Sequence, residues 1–303
     1  MAKRPTSKGL APVELLFLIL AVVFLVGLLV LLLPRKRSYA TRMVCGSNLS
    51  GVGKAMLLYA NDYQEEFPRA GGRNSTWGQT ADWVAPDRQR AYGLQADGTG
   101  GAATISSSLY LLVKYARVPP KMFLCLATRT RKGRERGVTE FKPSAYRLGD
   151  KTLTLTDFWD FGPDPTRHCN YAYQMVYGPQ KLILSAEPNM AVAADRNPWM
   201  DAPAAKAKNF TLFTPDIPPF NGTSDQARQG NSSRHEGDGQ SVMFLDTHVS
   251  WERRSYCGFE GDNIYTFWDG ADKARGQPPK FGSQPAGAKD SLLVNDPPAS
   301  QER

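Results

Sequence analysis

Residues 8–34 read KGLAPVELLFLILAVVFLVGLLVLLLP. From Leu10 to Leu33 the stretch holds 24 residues and a single charge, Glu14. At about 1.5 Å per helical residue, such a run is long enough for the ~30 Å hydrocarbon core of a bilayer. A cleaved secretory signal has an apolar region of only ~7–15 residues, followed by small residues at the cut. Here the run ends instead in Pro34-Arg35-Lys36-Arg37, with no A-x-A-like site. It reads as an anchor, and the three basic residues suit anionic lipid headgroups.

The rest of the 303-residue chain is more polar and rich in Gly and Pro, and 41% hydrophobic content overall is ordinary for a folded protein. Net charge is +8, and removing Lys3, Arg4 and Lys8 of the basic start leaves +5. That balance is too mild to argue for nucleic acid, and the basic run Arg129–Arg136 reads as a solvated loop. The four cysteines, Cys45, Cys125, Cys169 and Cys257, are widely separated and form no C-x-x-C pair. They lack the local chelate of a structural zinc site. Outside the cytoplasm they are disulfide candidates of undetermined pairing; buried thiols are the alternative.

Glu14 is the unusual residue in the apolar run. A carboxylate in mid-membrane costs on the order of 2–4 kcal/mol, less near an end. It is either hydrated at an interface or awaits a cation from another chain. Lys8-Gly9-Leu10-Ala11-Pro12-Val13-Glu14 resembles the processing motif of type IV pilins and type II secretion pseudopilins. The resemblance implies cleavage after Gly9 by a prepilin peptidase and methylation of the new amine at Leu10. It also implies that Glu14, at the fifth mature position, pairs with such an ammonium during assembly. Leu10 stands where Phe is commoner, and Pro12 where Leu is usual. Pro is tolerated there because the first amides of a helix have no carbonyl partner.

Beyond Arg37, apolar residues recur at Leu49, Val52, Met56, Tyr59 or Ala60, and Tyr63, in steps of three and four. The spacing predicts an amphipathic helix ended by Pro68, Gly71 and Gly72. Gly46, Gly51 and Gly53 weaken its propensity, so it needs a domain to pack on. Cys45, Asn48-Leu49, Tyr59-Ala60, Asp62-Tyr63 and Phe67-Pro68 resemble a block found in large pseudopilin-like proteins of planctomycete and verrucomicrobial type. Phe123-Leu124-Cys125, Ala194-Asp195-Arg196, Ser233-Arg234-His235 with Gly237, Phe244-Leu245-Asp246-Thr247-His248-Val249, and Gly261–Thr266 resemble further blocks of that subgroup. Thr247 replaces a Gly whose positive φ suits a tight hairpin.

Downstream, Ser108–Val113 reads as helix. Short strands are expected at Met122–Leu126, Tyr171–Val176, Lys181–Leu184, Met190–Ala194, Ser241–Phe244 and His248–Trp251, with long loops at about 71–106, 127–168 and 197–240. Asp246 and His248 share one side of a strand, and His235 is a candidate third metal ligand, with Asp195 near. A hydrogen-bonded polar cluster pinning the 231–240 loop is the plainer reading. No cofactor is otherwise implied, except that the resemblance brings in calcium, with Asp157-Asp160-Asp164 or Glu260-Asp262-Asp269 as carriers. No G-x-S-x-G, H-E-x-x-H, P-loop or dinucleotide fingerprint is present, so no enzyme is expected.

The expected fold is α+β: a long N-terminal helix, with a membrane-spanning half and an amphipathic half, packed on a C-terminal antiparallel β-sheet domain with long loops. The expected parts are a leader (1–9), a transmembrane helix (10–33), its amphipathic continuation (34–68), a globular domain (69–274) and a disordered tail (275–303). The resemblance implies a single-pass inner-membrane filament subunit of a type II secretion system or type IV pilus, its N-terminus cytoplasmic and its domain periplasmic or extracytoplasmic. Its partners would be the prepilin peptidase and methyltransferase, other pseudopilins, the assembly platform and inner-membrane lipid. An anchored extracytoplasmic binding module and an anchored metalloenzyme using His235, Asp246 and His248 are the alternatives.

Overall fold

The computed structural model describes residues 11–125, 127, 138–179, 182–200, 208–216, 222–268, 270 and 272–296, with the backbone alone for 29–38. The expected leader, the processing residues Gly9 and Leu10, the basic run 129–136 and Asp269 lie outside the described residues. The chain divides into two compact units, Met1–Thr41 and Arg42–Arg303.

Helix α1 runs Pro12–Asp62. Its start follows from local chemistry. Pro12 occupies the first helical position, where its missing N–H is no loss. Glu14, two residues on, accepts a hydrogen bond from the Ala11 N–H at 3.0 Å, satisfying a donor that the helix itself leaves open. The anchoring expectation, however, is corrected. Among the described residues no helix is long and apolar enough to cross a membrane. The membrane-spanning half of the expected fold class is therefore set aside, and with it the single-pass inner-membrane location.

The second unit is α+β, with a five-stranded sheet in the order β8-β7-β6-β5-β9, every neighbouring pair antiparallel. The strands are β5 (Tyr171–Gln174), β6 (Ala191–Asp195), β7 (Gln240–Phe244), β8 (Val249–Glu252) and β9 (Leu293–Val294). Smaller two-stranded sheets pair β1 (Thr76–Trp77) with β2 (Ala102–Ala103), and β3 (Arg147–Leu148) with β4 (Lys151–Thr152). Short helices α2 (Arg88–Tyr92) and α4 (Asp225–Arg228) punctuate the loops, and α3 (Ile105–Tyr115) contains the expected helix at 108–113.

Strand periodicity sorts the sheet's side chains into two cores. Tyr171, Tyr173, Val192, Met243 and Val294 join one cluster with α1 residues Cys45, Leu49, Val52, Met56, Tyr59 and Ala60. Ala172, Ala191, Ala194, Val242, Phe244 and Leu293 join the other, with Ile264 and Tyr265. A register shift between Ala191 and Ala193 marks a bulge in β6. The helical steps expected from Leu49 onward are thus the face of α1 that is buried. Its glycines have a packing use. A Cβ at Gly53 would lie 2.5 Å from Met243 Sδ and 3.3 Å from Thr247 Cβ. Lost propensity is exchanged for close approach of helix to hairpin.

Three further expectations change. Residues 120–123 form a 3-10 turn rather than a strand. The 182–184 stretch contributes only an isolated bridge from Ile183 to Glu66, with Lys181 outside the described residues. The tail is not structureless, because Leu292, Leu293 and Val294 are fully buried and β9 completes the sheet. Polar composition concealed two residues of strand. The hairpin at 245–248 closes even without glycine: Thr247 takes φ 67°, and its N–H bonds the Phe244 carbonyl at 2.8 Å. That conformation costs a non-glycine residue roughly 1–2 kcal/mol, which the surrounding ladder outweighs.

If β9 is part of the core, Leu293→Ala destabilises the protein by about 2–5 kcal/mol in urea unfolding, as for other buried leucines. A change within ~0.5 kcal/mol, normal for an exposed tail, would restore the disordered reading.

Candidate functional site

Four stretches singled out in the sequence for separate reasons meet at one point. Cys45 comes from α1, Cys125 follows the 3-10 turn at 120–123, Asp195 ends β6, and His235 sits in the 234–237 turn. One ligand-type atom from each lies within 4.8 Å of all the others. None of the four residues is more than 4% exposed.

Each is held by a local cause. Cys45 is on the buried face of α1, where its carbonyl accepts the Tyr171 hydroxyl at 3.4 Å. Asp195 points to the α1 face by strand alternation, and its Oδ2 accepts the Ser241 N–H at 2.9 Å. His235 and Glu236 both adopt left-handed backbone, with φ 53° and 63°. Such strain persists only where the surroundings over-determine it. Here Asn231 Nδ2 donates to the carbonyls of Gly237 and Arg253. Asp238 bridges Arg42 at 2.9 Å and Arg228 at 2.6 Å. Trp251 lies edge-on to the His235 ring, with the Arg42 guanidinium 4.2 Å from its own centroid.

Within the cluster, the Cys45 and Cys125 sulfurs are 2.8 Å apart. His235 Nε2 is 3.4 Å from Cys125 Sγ and 3.5 Å from Asp195 Oδ2. The contact with Cys125 pulls the Cys45 thiol down, whereas burial pushes Cys125 up. Burial lowers His235, but hydrogen bonds to Asp195 and Cys45 outweigh it and raise the imidazole to about 9. The set therefore places a thiol pulled towards its ionised form beside an imidazole pushed towards its protonated form, with the fully buried Asp195 side chain next to them.

The other expected site residues are elsewhere. Asp246 and His248 form a pair with each other at 2.5 Å on the exposed hairpin turn, and His248 stacks on Phe244. They do not join His235. Cys169 and Cys257 contact the carbonyls of Tyr171 and Ser255 respectively, and the structure contains no disulfide. Among the described residues the calcium candidates form no close group of ligand atoms. Asp157 caps Thr154 and pairs with Lys151, Asp160 is buried, and Glu260 pairs with Lys273. Cys45 and Cys125 were passed over as ligands because 80 residues separate them. The available signal was that both, like Asp195 and His235, fall in the recognisable blocks.

A second polar site lies at the start of α3, beside a cleft of about 290 Å³ lined by Trp77, Trp83, Asp160, Phe281 and Asp296 among others. Both carboxylates are committed to structure. Asp296 accepts the Ile105 and Ser106 N–H groups and the Trp77 indole, all within 2.9 Å. It thus fills the open amides of the helix and complements its dipole. Asp160 accepts the hydroxyls of Thr80, Thr104 and Ser106 and the Phe161 N–H. Burial, then the charge of Asp296, pushes Asp160 up to about 7 against the pull of those donors.

No protein-family model matches the chain, and no curated protein or solved structure matches it.

Asp160 sets a pH dependence. Its folded-state value lies above the ordinary 3.8, so between about pH 4 and 7 the folded chain keeps a proton that the unfolded chain releases. This contribution weakens stability as pH rises through that window. Asp160→Asn, which cannot ionise, should gain on the native chain by on the order of 1 kcal/mol per pH unit there. Urea unfolding at pH 4.5, 5.5 and 6.5 measures it; parallel curves for the two proteins would contradict it.

Proposed function

We propose that the chain is a pilin-like structural subunit, processed after Gly9 and assembled through the first part of α1 into a type II secretion or type IV pilus-like filament. The observation that carries this reading is the exposure of that segment. Leu15, Leu16, Phe17 and Leu18 are consecutive, about 100° apart around the axis, and each is at least 50% exposed. Among the described residues of its own unit, none covers a side of this segment. A helix apolar all round is stable only when surrounded. Copies of the same helix, bundled in a filament core, would surround it.

Glu14 gives the bundle its register. In the isolated chain it serves the Ala11 N–H. After cleavage at Gly9 the ammonium of Leu10 would lie close by, on the same chain or a neighbour, and a buried carboxylate needs such a partner. One carboxylate and one terminus per subunit define a fixed offset between successive helices. The prepilin peptidase and methyltransferase, other pseudopilins and the assembly platform are the partners this reading requires. The second unit then faces outward as the displayed domain.

Two measurements test it. Mass spectrometry of the mature protein should give a start at Leu10. Glu14→Ala should leave the melting temperature of the second unit within about 1 °C, because Glu14 belongs to the other compact unit, yet reduce recovery in sheared filaments at least tenfold. Retention of residues 1–9 beside an active prepilin peptidase, or undiminished incorporation of the variant, would defeat the proposal.

A further inference from the structure

We infer that Cys45, Cys125, Asp195 and His235 form a closed binding site for one zinc ion, which clips α1 to the sheet. The inference is independent of what the first part of α1 does.

Donor chemistry comes first. Two thiols, an imidazole and a carboxylate are the ligand types that zinc takes in tetrahedral structural sites. Bond lengths of about 2.3 Å to sulfur and 2.0–2.1 Å to nitrogen and oxygen imply tetrahedral edges of about 3.5 Å for S–N and 3.3 Å for N–O. The structure has 3.4 Å from Cys125 Sγ to His235 Nε2 and 3.5 Å from His235 Nε2 to Asp195 Oδ2. Of these three edges the S–S edge differs, at 2.8 Å against about 3.8 Å for two zinc-bound sulfurs, and every remaining pair of ligand atoms lies within 4.8 Å. The S–S edge must open by about 1 Å, within reach of a small χ1 rotation at either cysteine.

Burial supplies an independent reason. Asp195 is fully buried, and among the described residues its Oδ1 has no hydrogen-bond partner. A carboxylate oxygen in that position is costly to leave unpaired. A divalent cation seated on this carboxylate, close to Oδ2 and within longer reach of Oδ1, answers it, and the charge of two thiolates and one carboxylate is then offset to within one unit. A disulfide between Cys45 and Cys125 would use the sulfurs but do nothing for that oxygen. Finally, the left-handed backbone at His235 spends conformational energy to aim one imidazole inward. The four ligands tie α1, the 120s turn, β6 and the 234–237 turn together, so zinc bound there contributes directly to folding.

The test uses the full chain, purified with thiol reductant and without chelator. Elemental analysis should find one zinc per chain. Replacing it with cobalt should produce the charge-transfer and visible bands of tetrahedral cobalt–thiolate coordination. Chelator should lower the melting temperature of the native chain but not that of His235→Asn, and Asn is a residue that tolerates positive φ. Should that variant fail to fold, stoichiometry and the cobalt spectrum of the native chain still decide. Two results overturn the proposal. One is a folded chain that neither carries nor takes up metal while all four thiols titrate. The other is a chain lighter by two hydrogens with a Cys45–Cys125 cross-linked peptide.

Discussion

A five-stranded sheet with two short edge strands does not stand alone; one face must be covered by something long and apolar. Here that cover is the stretch of α1 from Cys45 to Ala60, and most of the second unit is arranged around the contact. Gly53 brings the helix close enough for Met243 and Thr247 to fill the space above it. Tyr171 and Tyr173 reach from the same face to the carbonyls of Cys45 and Pro68. The polar cluster lies in this contact as well, so a buried group of ionisable side chains and the main apolar burial share one seam. Breaking half of a buried charged set is far more costly than never forming it.

Periodicity made the second half of α1 legible, because steps of three and four from Leu49 have one physical explanation. The central strands were legible for a similar reason: 171–176, 190–194 and 241–244 are short apolar runs between turn residues. β9 was not. Two buried residues amid Pro, Gly, Ser and Lys carry no period, and their burial depends on an edge that only the folded sheet presents. Thr247 misled in the opposite sense, since sequence cannot weigh local strain against a ladder made by residues on either side.

The site was half legible. His235 and Asp195 were singled out, yet Asp246 and His248 drew attention because they are near in sequence. Proximity along the chain is the wrong measure for a site built across 190 residues, from Cys45 to His235. Residue type without local spacing is a weak signal for a chelate, and only tertiary contact turns four scattered side chains into one centre. The apolar N-terminal run misled through length. Among the described residues no helix is long and apolar enough to cross a membrane.

The partnership of Asp296 with the start of α3 has a temporal meaning. Ile105 and Ser106 wait for a carboxylate that leaves the ribosome 190 residues later, and Leu293 and Val294 close the sheet at the same late moment. Contacts of such sequence separation are slow to form and cannot begin before their last member is made. For most of synthesis, the greasy N-terminal segment is therefore present on a chain whose domain is still incomplete. Any enzyme or chaperone that acts on that segment meets it first on an unfinished chain, and only afterwards on one whose domain is complete.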